Sequence, residues 1–267
     1  MTARERERVQ VPSETFDQAY AAYERSARVA AMIRAALGGD FPPEVEPFSF
    51  VPLAGLRRIA TELDVAPEAT LVDLACGRGG PGMWVARETG AKLVGVDYST
   101  VAVAQAQSRI GRFGLDGRAR FLRGRLEATG LPSSSADAVM CVDALQFGDP
   151  VSTAQEIARI VRPGGRVVVT SWRPTRADDN TVPPTLRGFD AAAVLAGADL
   201  SVLVADVEPT WMALQRNFFE RVRAMGDPGE DQALADLQRE AEDVLASHER
   251  LERVFVVAER PAGAKSS

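Results

Sequence analysis

A glycine-rich turn directly follows a short apolar run, in the sequence Val72-Asp73-Leu74-Ala75-Cys76-Gly77-Arg78-Gly79-Gly80-Pro81-Gly82. Glycine lets the backbone adopt positive φ and approach a ligand closely, and the helix predicted after the turn presents unpaired N–H groups. This combination is typical of a ligand site at the start of a helix. A Gly-x-Gly pattern also suits nicotinamide enzymes and ordinary turns, so the neighbouring residues must distinguish these alternatives.

A second acidic residue, Asp97, ends the next predicted strand about 20 residues after the glycines. A carboxylate at this position can accept hydrogen bonds from both hydroxyls of a ribose. The alternative is structural, with Asp97 beginning a turn before a helix capped by Ser99 or Thr100. The spacing and the position at a strand end favour ribose binding.

With these two motifs, the sequence resembles the class I S-adenosylmethionine-dependent methyltransferases, especially the small-molecule enzymes of bacterial secondary metabolism. The resemblance covers Leu71 to Trp172. Residues 136–145 are similar to the family's fourth strand and active-site edge, and Arg162-Pro163-Gly164-Gly165-Arg166 is similar to its turn into the fifth strand. A nicotinamide enzyme would instead show Gly-x-Gly-x-x-Gly without the preceding Asp and Cys.

The resemblance implies S-adenosylmethionine as the cofactor and S-adenosylhomocysteine as its product. Asp73 would lie near the methionine amino group, Gly77 and Gly79 would make room for the cofactor, Asp97 would bind the ribose and Tyr98 would flank the adenine. The cofactor-binding residues expected on this basis are Asp73, Ala75, Cys76, Gly77, Gly79, Asp97, Tyr98, Leu126, Glu127 and Val142.

The loop after the third strand departs from many relatives, which place an Asp there to bind the adenine amino group. Here Gly124 is followed by Arg125, which cannot accept that hydrogen bond. The side chain of Glu127 and the backbone of Leu126 are the two alternatives for this contact.

A general base is not evident at the position where some relatives place histidine, since this chain has Gln146 and Phe147 there. The single histidine, His248, is expected on the solvated surface of a late helix. Asp143 is the best candidate for a base from its motif position, and the alternative is that it orients the cofactor. Methyl transfer can instead depend mainly on alignment of the reacting atoms, which leaves proton removal to water.

The expected acceptor pocket combines Gln146 with aromatic side chains. Tyr20 and Tyr23 follow Phe16 at helical spacing, which equally suits an ordinary helix core face. The full set of pocket candidates is Tyr20, Tyr23, Gln146, Phe147, Trp172 and Trp211.

Apolar runs alternate with helical patterns from Thr70 onward, which predicts parallel βαβ units in a Rossmann-like α/β fold. The fold would be a doubly wound, mostly parallel sheet of seven strands, with helices on both faces and a ligand crevice at the carboxyl ends of its strands. The predicted strands are 71–75, 92–96, 119–122, 138–142, 166–171, 201–207 and 253–259.

The remaining segments divide the chain into a core and its additions. Residues 1–52 would form an N-terminal helical segment, a candidate lid, with a helix from Phe16 to Leu37 capped by Ser13. A helix over 53–63 leads into the methyltransferase domain, residues 53–260. Helices over 211–225 and 231–247 would form a helical cap inserted at about 209–249, and residues 261–267 a frayed tail.

Composition restricts the class of protein. The chain has 267 residues, 46% of them hydrophobic and 25% charged, which is typical of a globular protein. No apolar run reaches the roughly 20 residues that cross a bilayer, and Met1 to Gln10 is charged, so we expect a cytoplasmic protein. Cys76 and Cys141 are expected as free thiols at strand ends.

The net charge of −6 disfavours nucleic acid as a partner, and the arginines between Arg109 and Arg125 are interpreted as a solvated helix face and loop. No metal site is expected, because Asp178 and Asp179 lack a third ligand. A homodimer is compatible with the sequence.

The sequence thus predicts transfer of a methyl group to oxygen, nitrogen or carbon of a small-molecule acceptor, by in-line displacement rather than with a histidine base. The first alternative is the same fold catalysing a non-methylating reaction such as cyclisation. The second is a cofactor-gated binding or regulatory protein.

Overall fold

The computed structural model describes residues 17, 26–42, 44–45 and 49–262. Its strands are β1 Thr70–Leu74, β2 Lys92–Asp97, β3 Ala119–Arg123, β4 Ala136–Val142, β5 Val161–Pro174, β6 Ser201–Val207 and β7 Leu251–Glu259. Its α-helices are α1 Ala27–Leu37, α2 Leu53–Leu63, α3 Gly80–Thr89, α4 Thr100–Arg109, α5 Pro150–Ile160, α6 Ala191–Ala196, α7 Pro209–Arg223 and α8 Gln232–Ser247.

The seven strands form one sheet in the order β3-β2-β1-β4-β5-β7-β6, in which β7 runs antiparallel to both of its neighbours. Asp73 near the end of β1 pairs with Gly95 on β2 and with Met140 on β4. This register brings the carboxyl ends of β1, β2 and β4 to one edge, where the order reverses around β1. The predicted doubly wound α/β fold is confirmed.

Both faces of the sheet are buried, which explains the continuous apolar runs of its strands. Val167 and Val169 face one core together with Ile157 and Leu195, whereas Val168 faces the opposite core. Alternate residues of a strand point to opposite faces, so each run contributes to both cores. The two cores hold the strand ends, and therefore the site, in fixed relative positions.

A third apolar cluster lies outside the sheet, where α7 and α8 follow β6. Phe218, Phe219 and Leu234 from these helices pack with Val29 of α1 and with Phe50. Asp231 accepts hydrogen bonds from the backbone of Leu234, at 3.1 Å, and from the Ser26 hydroxyl, at 2.7 Å. The start of α8 is therefore tied to the start of α1.

Apart from small shifts at the ends of several elements, the predicted and observed structures differ in four respects. β5 begins at Val161, because Gly164 and Gly165, expected in a turn, exchange backbone hydrogen bonds with Arg260. The short helix α6 was not expected. The prediction of a continuous helix from Phe16 to Leu37 was wrong, because Ser26 is not helical and its hydroxyl accepts from the Val29 N–H at the start of α1; Ser13 and Phe16 lie outside the described residues.

The fourth difference concerns Arg109, which was expected on a solvated face. It is 5% exposed, and its guanidinium donates to the carbonyl oxygens of Arg78, at 2.9 Å, and Glu44, at 2.7 Å. Arg112, Arg120, Arg123 and Arg125 are exposed as expected. Arg109 instead links α4 to the glycine-rich turn.

Candidate active site

One cavity of about 910 Å³ opens at the carboxyl ends of β1, β2 and β4 and extends beneath α7 and α8. Asp73, Asp97 and Leu126 lie at its sheet end, and Phe218 and Val244 at its helical end. A volume of this size is within the usual range for sites that hold small molecules. The cavity therefore has room for two ligands placed end to end, or one extended ligand.

Asp73 lies at the floor of the crevice and is 2% exposed. The backbone N–H of Gly82, at the start of α3, donates to its carboxylate, yet burial and the nearby Asp97 raise the pKa of Asp73 to about 8. A Cβ atom at position 82 would overlap the Asp73 carboxyl group. Glycine at 82 thus permits the helix to begin directly over this acid.

Asp97 holds the glycine-rich turn against the next helix. Its Oδ2 accepts from the N–H of Gly77 and its Oδ1 from the N–H of Ser99, both at 2.8 Å. Burial raises the pKa of Asp97, and these backbone donors oppose that effect. Each carboxylate oxygen keeps a further lone pair, so the side chain can also accept hydrogen bonds from a diol.

The other residues of the turn shape the crevice through their backbone. Ala75 and Gly77 adopt positive φ values of 52° and 51° and line the cavity with Cys76. Gly79, at φ 76°, begins the helix; a Cβ there would lie 2.8 Å from the Phe121 ring. Cys76 and Cys141 are free and buried, and burial raises the pKa of the Cys76 thiol, so it is neutral near pH 7.

The loop after β3 presents both predicted alternatives for the adenine contact to the cavity. Leu126 and Glu127 line it, as do the half-buried Tyr98 and Val142. Glu127 Oε1 accepts from the N–H of Asp149 at 2.8 Å, and its Oε2 lies 3.5 Å from Arg125 Nε. Glu127 is therefore held in place from two sides and retains acceptor capacity.

Asp143 is paired rather than free. Its Oδ1 accepts from the Thr170 hydroxyl at 2.7 Å, and its Oδ2 accepts from the guanidinium of Arg253. Burial raises the pKa of Asp143, and the Arg253 charge and these hydrogen bonds oppose that effect. Both carboxylate oxygens are thus engaged by donors within the protein, which disfavours the expected role as a base.

Arg253 itself was missed by the sequence reasoning. It is fully buried near the start of β7, with its guanidinium carbon 5.1 Å from the ring centroid of Trp172 and 5.0 Å from that of Trp211. It also donates to the backbone carbonyl oxygens of Ser49 and Phe50. The signal for it was an arginine at the start of an otherwise apolar strand.

The acceptor-pocket candidates divide into three groups. Gln146, Phe147 and Trp172 line the cavity, and Gln146 is fixed by the Ser171 hydroxyl at 2.9 Å. Trp211 does not line it; the ring is 4% exposed and packs edge-on against Phe255. Tyr20 and Tyr23 lie outside the described residues.

His248 was expected on the surface, but it is 5% exposed and lines the cavity. Its Nδ1 lies 3.1 Å from the Arg216 guanidinium, which can only donate, and its Nε2 lies 3.0 Å from the Met212 carbonyl oxygen, which can only accept. These contacts require a neutral ring with the proton on Nε2. Burial also lowers the pKa of His248, so neither nitrogen is free to act as a base near pH 7.

Comparison with known proteins identifies the core. Residues 72–169 match a family model described as a methyltransferase domain. These residues form a class I S-adenosylmethionine-dependent methyltransferase domain. The family and the cofactor expected from the sequence are confirmed at this level.

A curated relative of this methyltransferase domain is "Methyltransferase GfsG" of Streptomyces halstedii, which is 30% identical over 152 residues. The match covers 54% of each chain, so the present chain spans about half the length of that relative.

Solved structures share the fold over most of the chain. The [4+2]-cyclase SpnF superposes with a TM-score of 0.75 at 21% identity, covering 94% of this chain and 97% of that one. The geranyl diphosphate C-methyltransferase of Streptomyces coelicolor A3(2) gives 0.63 at 17% identity, covering 94% and 98%. At this level of identity, both establish the fold alone.

The residues of the crevice fit the family's cofactor. Two buried carboxylates, Asp73 and Asp97, face the amino acid and ribose ends expected for it, and the missing side chain at Gly82 keeps the floor open. Among the residues that the structure describes, no group of three or more metal-ligating side chains is found, and no helix is long and apolar enough to cross a membrane.

Proposed function

We propose that this protein binds S-adenosylmethionine in the crevice between Asp73 and Asp97 and transfers its methyl group to oxygen, nitrogen or carbon of a small-molecule acceptor. The observation that carries this proposal is one continuous cavity, which joins the crevice to a largely apolar space beneath α7 and α8. A cofactor at the sheet end would direct its reactive group towards an acceptor at the helical end.

The roles of the cofactor-binding residues follow from their positions. Asp73 would accept from the methionine amino group, Asp97 from the ribose hydroxyls, and Tyr98 with Leu126 and Glu127 would enclose the adenine. Ala75, Cys76, Gly77, Gly79 and Val142 would shape the space between them. The bound cofactor supplies a methyl group already activated by a sulfonium.

The chain would then act mainly by alignment. Holding two reactants in line can contribute roughly 7 to 11 kcal/mol in favourable cases. Asp143 is bound by Arg253, and both His248 nitrogens are engaged, which supports a reaction without a histidine base. We assign Asp143 to orienting the site rather than to proton transfer.

The N-terminal residues 1–52 would serve as a lid over domain 53–260, and α7 and α8 would serve as the cap that selects the acceptor. The bonds of Arg253 to the Ser49 and Phe50 carbonyl oxygens support this arrangement, because they tie the end of the segment to the site. Gln146, Phe147 and Trp172 would contact the acceptor from the sheet side.

The setting of the enzyme is also proposed. Its similarity to GfsG supports a place in bacterial secondary metabolism, such as antibiotic biosynthesis. Two free, buried thiols suit the reducing cytoplasm, and the charge of −6 disfavours nucleic acid as a partner. A homodimer is compatible with this function.

An acceptor screen tests the reaction. The purified protein is incubated with S-adenosylmethionine and pools of hydroxylated, aminated and polyene metabolites, and S-adenosylhomocysteine and acceptor masses are followed by mass spectrometry. The expected result is a gain of one methyl group per S-adenosylhomocysteine released, over many turnovers. An isomerised acceptor of unchanged mass without S-adenosylhomocysteine would instead establish a cyclase-type reaction.

A further inference from the structure

The helical end of the cavity combines an apolar wall with a strip of polar groups. Phe218 and Phe219 of α7 and Leu237 and Val244 of α8 supply the apolar surface. Polar groups lie between them on both helices, and their hydrogen-bonding state determines which ligand this end can bind. Only the placement of the methyl acceptor at this end rests on the proposed function.

Three hydrogen-bond donors on this wall are engaged within the protein. Arg239 is ion-paired with Asp236, the Ser247 hydroxyl donates to the Asp243 carbonyl oxygen at 3.2 Å, and the His248 Nε2 proton is directed at Met212. The other arginines that line the cavity in the described part of the chain are Arg78, Arg109 and Arg125. They belong to the glycine-rich turn, α4 and the loop after β3, at the sheet end.

Two hydrogen-bond-accepting side chains on the same wall have no partner among the described residues. Glu240 lines the cavity from an exposed position on α8, and its carboxylate has no hydrogen bond or ion pair with the described residues. Gln215 lines it from α7; this side chain is 8% exposed, and its buried Oε1 accepts no hydrogen bond from the described residues. Burial removes the Gln215 oxygen from water without a replacement partner among the described residues, so a ligand that donates to it is stabilised.

We propose that Glu240 and Gln215 form the acceptor-recognition site, and that the acceptor is a largely apolar molecule carrying a hydrogen-bond donor, either a hydroxyl or an ammonium group. The apolar wall holds the carbon skeleton of this molecule, and the side-chain oxygens of Glu240 and Gln215 fix its orientation relative to the crevice. Asp236 and Asp243 line the cavity on the same helix as Glu240. Arg239 balances the charge of Asp236, so Glu240 and Asp243 leave this end net negative, which disfavours a phosphorylated or carboxylated acceptor.

The test uses three probes with one carbon skeleton: geraniol, geranylamine and geranyl diphosphate. Their binding to the full-length protein is measured by calorimetry, with and without S-adenosylhomocysteine. The amine and the alcohol are expected to bind at least tenfold more tightly than the diphosphate. An ion pair at an exposed carboxylate is partly screened by water, so Glu240→Gln should weaken amine binding about threefold.

The matched control is Glu242→Gln, which removes the same charge from a position on the same helix that is exposed, as Glu240 is, but does not line the cavity. Gln215→Leu should weaken both donor probes, and melting temperatures establish that each variant is folded. Equal losses in the two glutamate variants, diphosphate binding as tight as amine binding, or no saturable binding of either donor probe would overturn the proposal. Cofactor binding is measured separately, so failure of the proposed methyl transfer is distinguishable from failure of this assignment.

Discussion

The guanidinium of Arg253 is fully buried and donates a hydrogen bond to the carboxylate of Asp143. This pair joins the antiparallel strand β7 to the end of β4, and Arg253 also contacts the Ser49 and Phe50 carbonyl oxygens. One side chain therefore links β7, the end of β4 and the segment before α2. Sequence motifs place Asp143 at the active-site edge, and its pairing with Arg253 supports the proposal that it orients the site instead of acting as a base.

Removing the cation is expected to destabilise the fold. Arg253→Met leaves Asp143 buried without its counter-ion, and breaking a buried pair costs about 3–5 kcal/mol. Asp143→Asn should also destabilise, while the double variant should recover part of the loss because neither charge then remains unpaired. Urea unfolding of the four proteins measures this coupling. Additive effects of the two substitutions would show that the pair does not interact.

Asp73 predicts a pH dependence in the cofactor-free protein. Its pKa of about 8 in the folded chain exceeds the value of about 3.9 for an unfolded aspartate, so the folded state binds more protons between these values. The contribution of Asp73 to the free energy of unfolding therefore falls as pH rises from about 4 to 8, by at most about 1.4 kcal/mol per pH unit. Asp73→Asn should remove this contribution.

This prediction is measured by urea unfolding at several pH values between about 5 and 8.5, where the contribution of Asp73 to the free energy of unfolding changes most accessibly. The free energy of unfolding of the wild type should decline relative to that of the Asn variant. Parallel curves for the two proteins would mean that Asp73 is already ionised at pH 5 in the folded state.

Gly82 offers a steric test of the crevice floor. Gly82→Ala places a methyl group against the Asp73 carboxyl group, so the helix start or the acid must move, at a cost of about 1–3 kcal/mol. Affinity for S-adenosylhomocysteine should fall at least tenfold. Gly226→Ala is the control, since a Cβ there meets nothing within 4 Å. Equal affinities for the two variants would contradict the placement of the cofactor over Asp73.

Asp97 is expected to contribute directly to cofactor binding. Asp97→Ala removes the acceptor of the Gly77 and Ser99 N–H groups and the proposed ribose contact. Binding of S-adenosylhomocysteine should weaken at least tenfold, or about 1.4 kcal/mol. Asp137→Ala provides a control: Asp137 accepts from the Thr70 N–H at 2.7 Å and does not line the cavity. Calorimetry that finds unchanged binding for Asp97→Ala would remove the ribose assignment.

The fold, and the position of Asp73 and Asp97 at one edge of the sheet, were predictable because they depend on local sequence. Alternation of apolar runs sets the strands, and Asp73 and Asp97 lie near the carboxyl ends of β1 and β2. The acceptor end depends on contacts between distant segments, for which the sequence has no periodic signal. His248 and Trp211 illustrate this: the burial of one and the removal of the other from the pocket both result from how α7 packs against its neighbours.

The most direct test of the account is a thermal-shift titration of the full chain with S-adenosylmethionine, S-adenosylhomocysteine, NAD and NADP. A ligand at about 100 times its dissociation constant stabilises the fold by roughly 2.7 kcal/mol, which is readily detected. We predict stabilisation by S-adenosylmethionine and S-adenosylhomocysteine alone, and a reduced shift in Asp97→Ala. Stabilisation by the nicotinamide nucleotides instead, or by none of the four, would contradict the central claim.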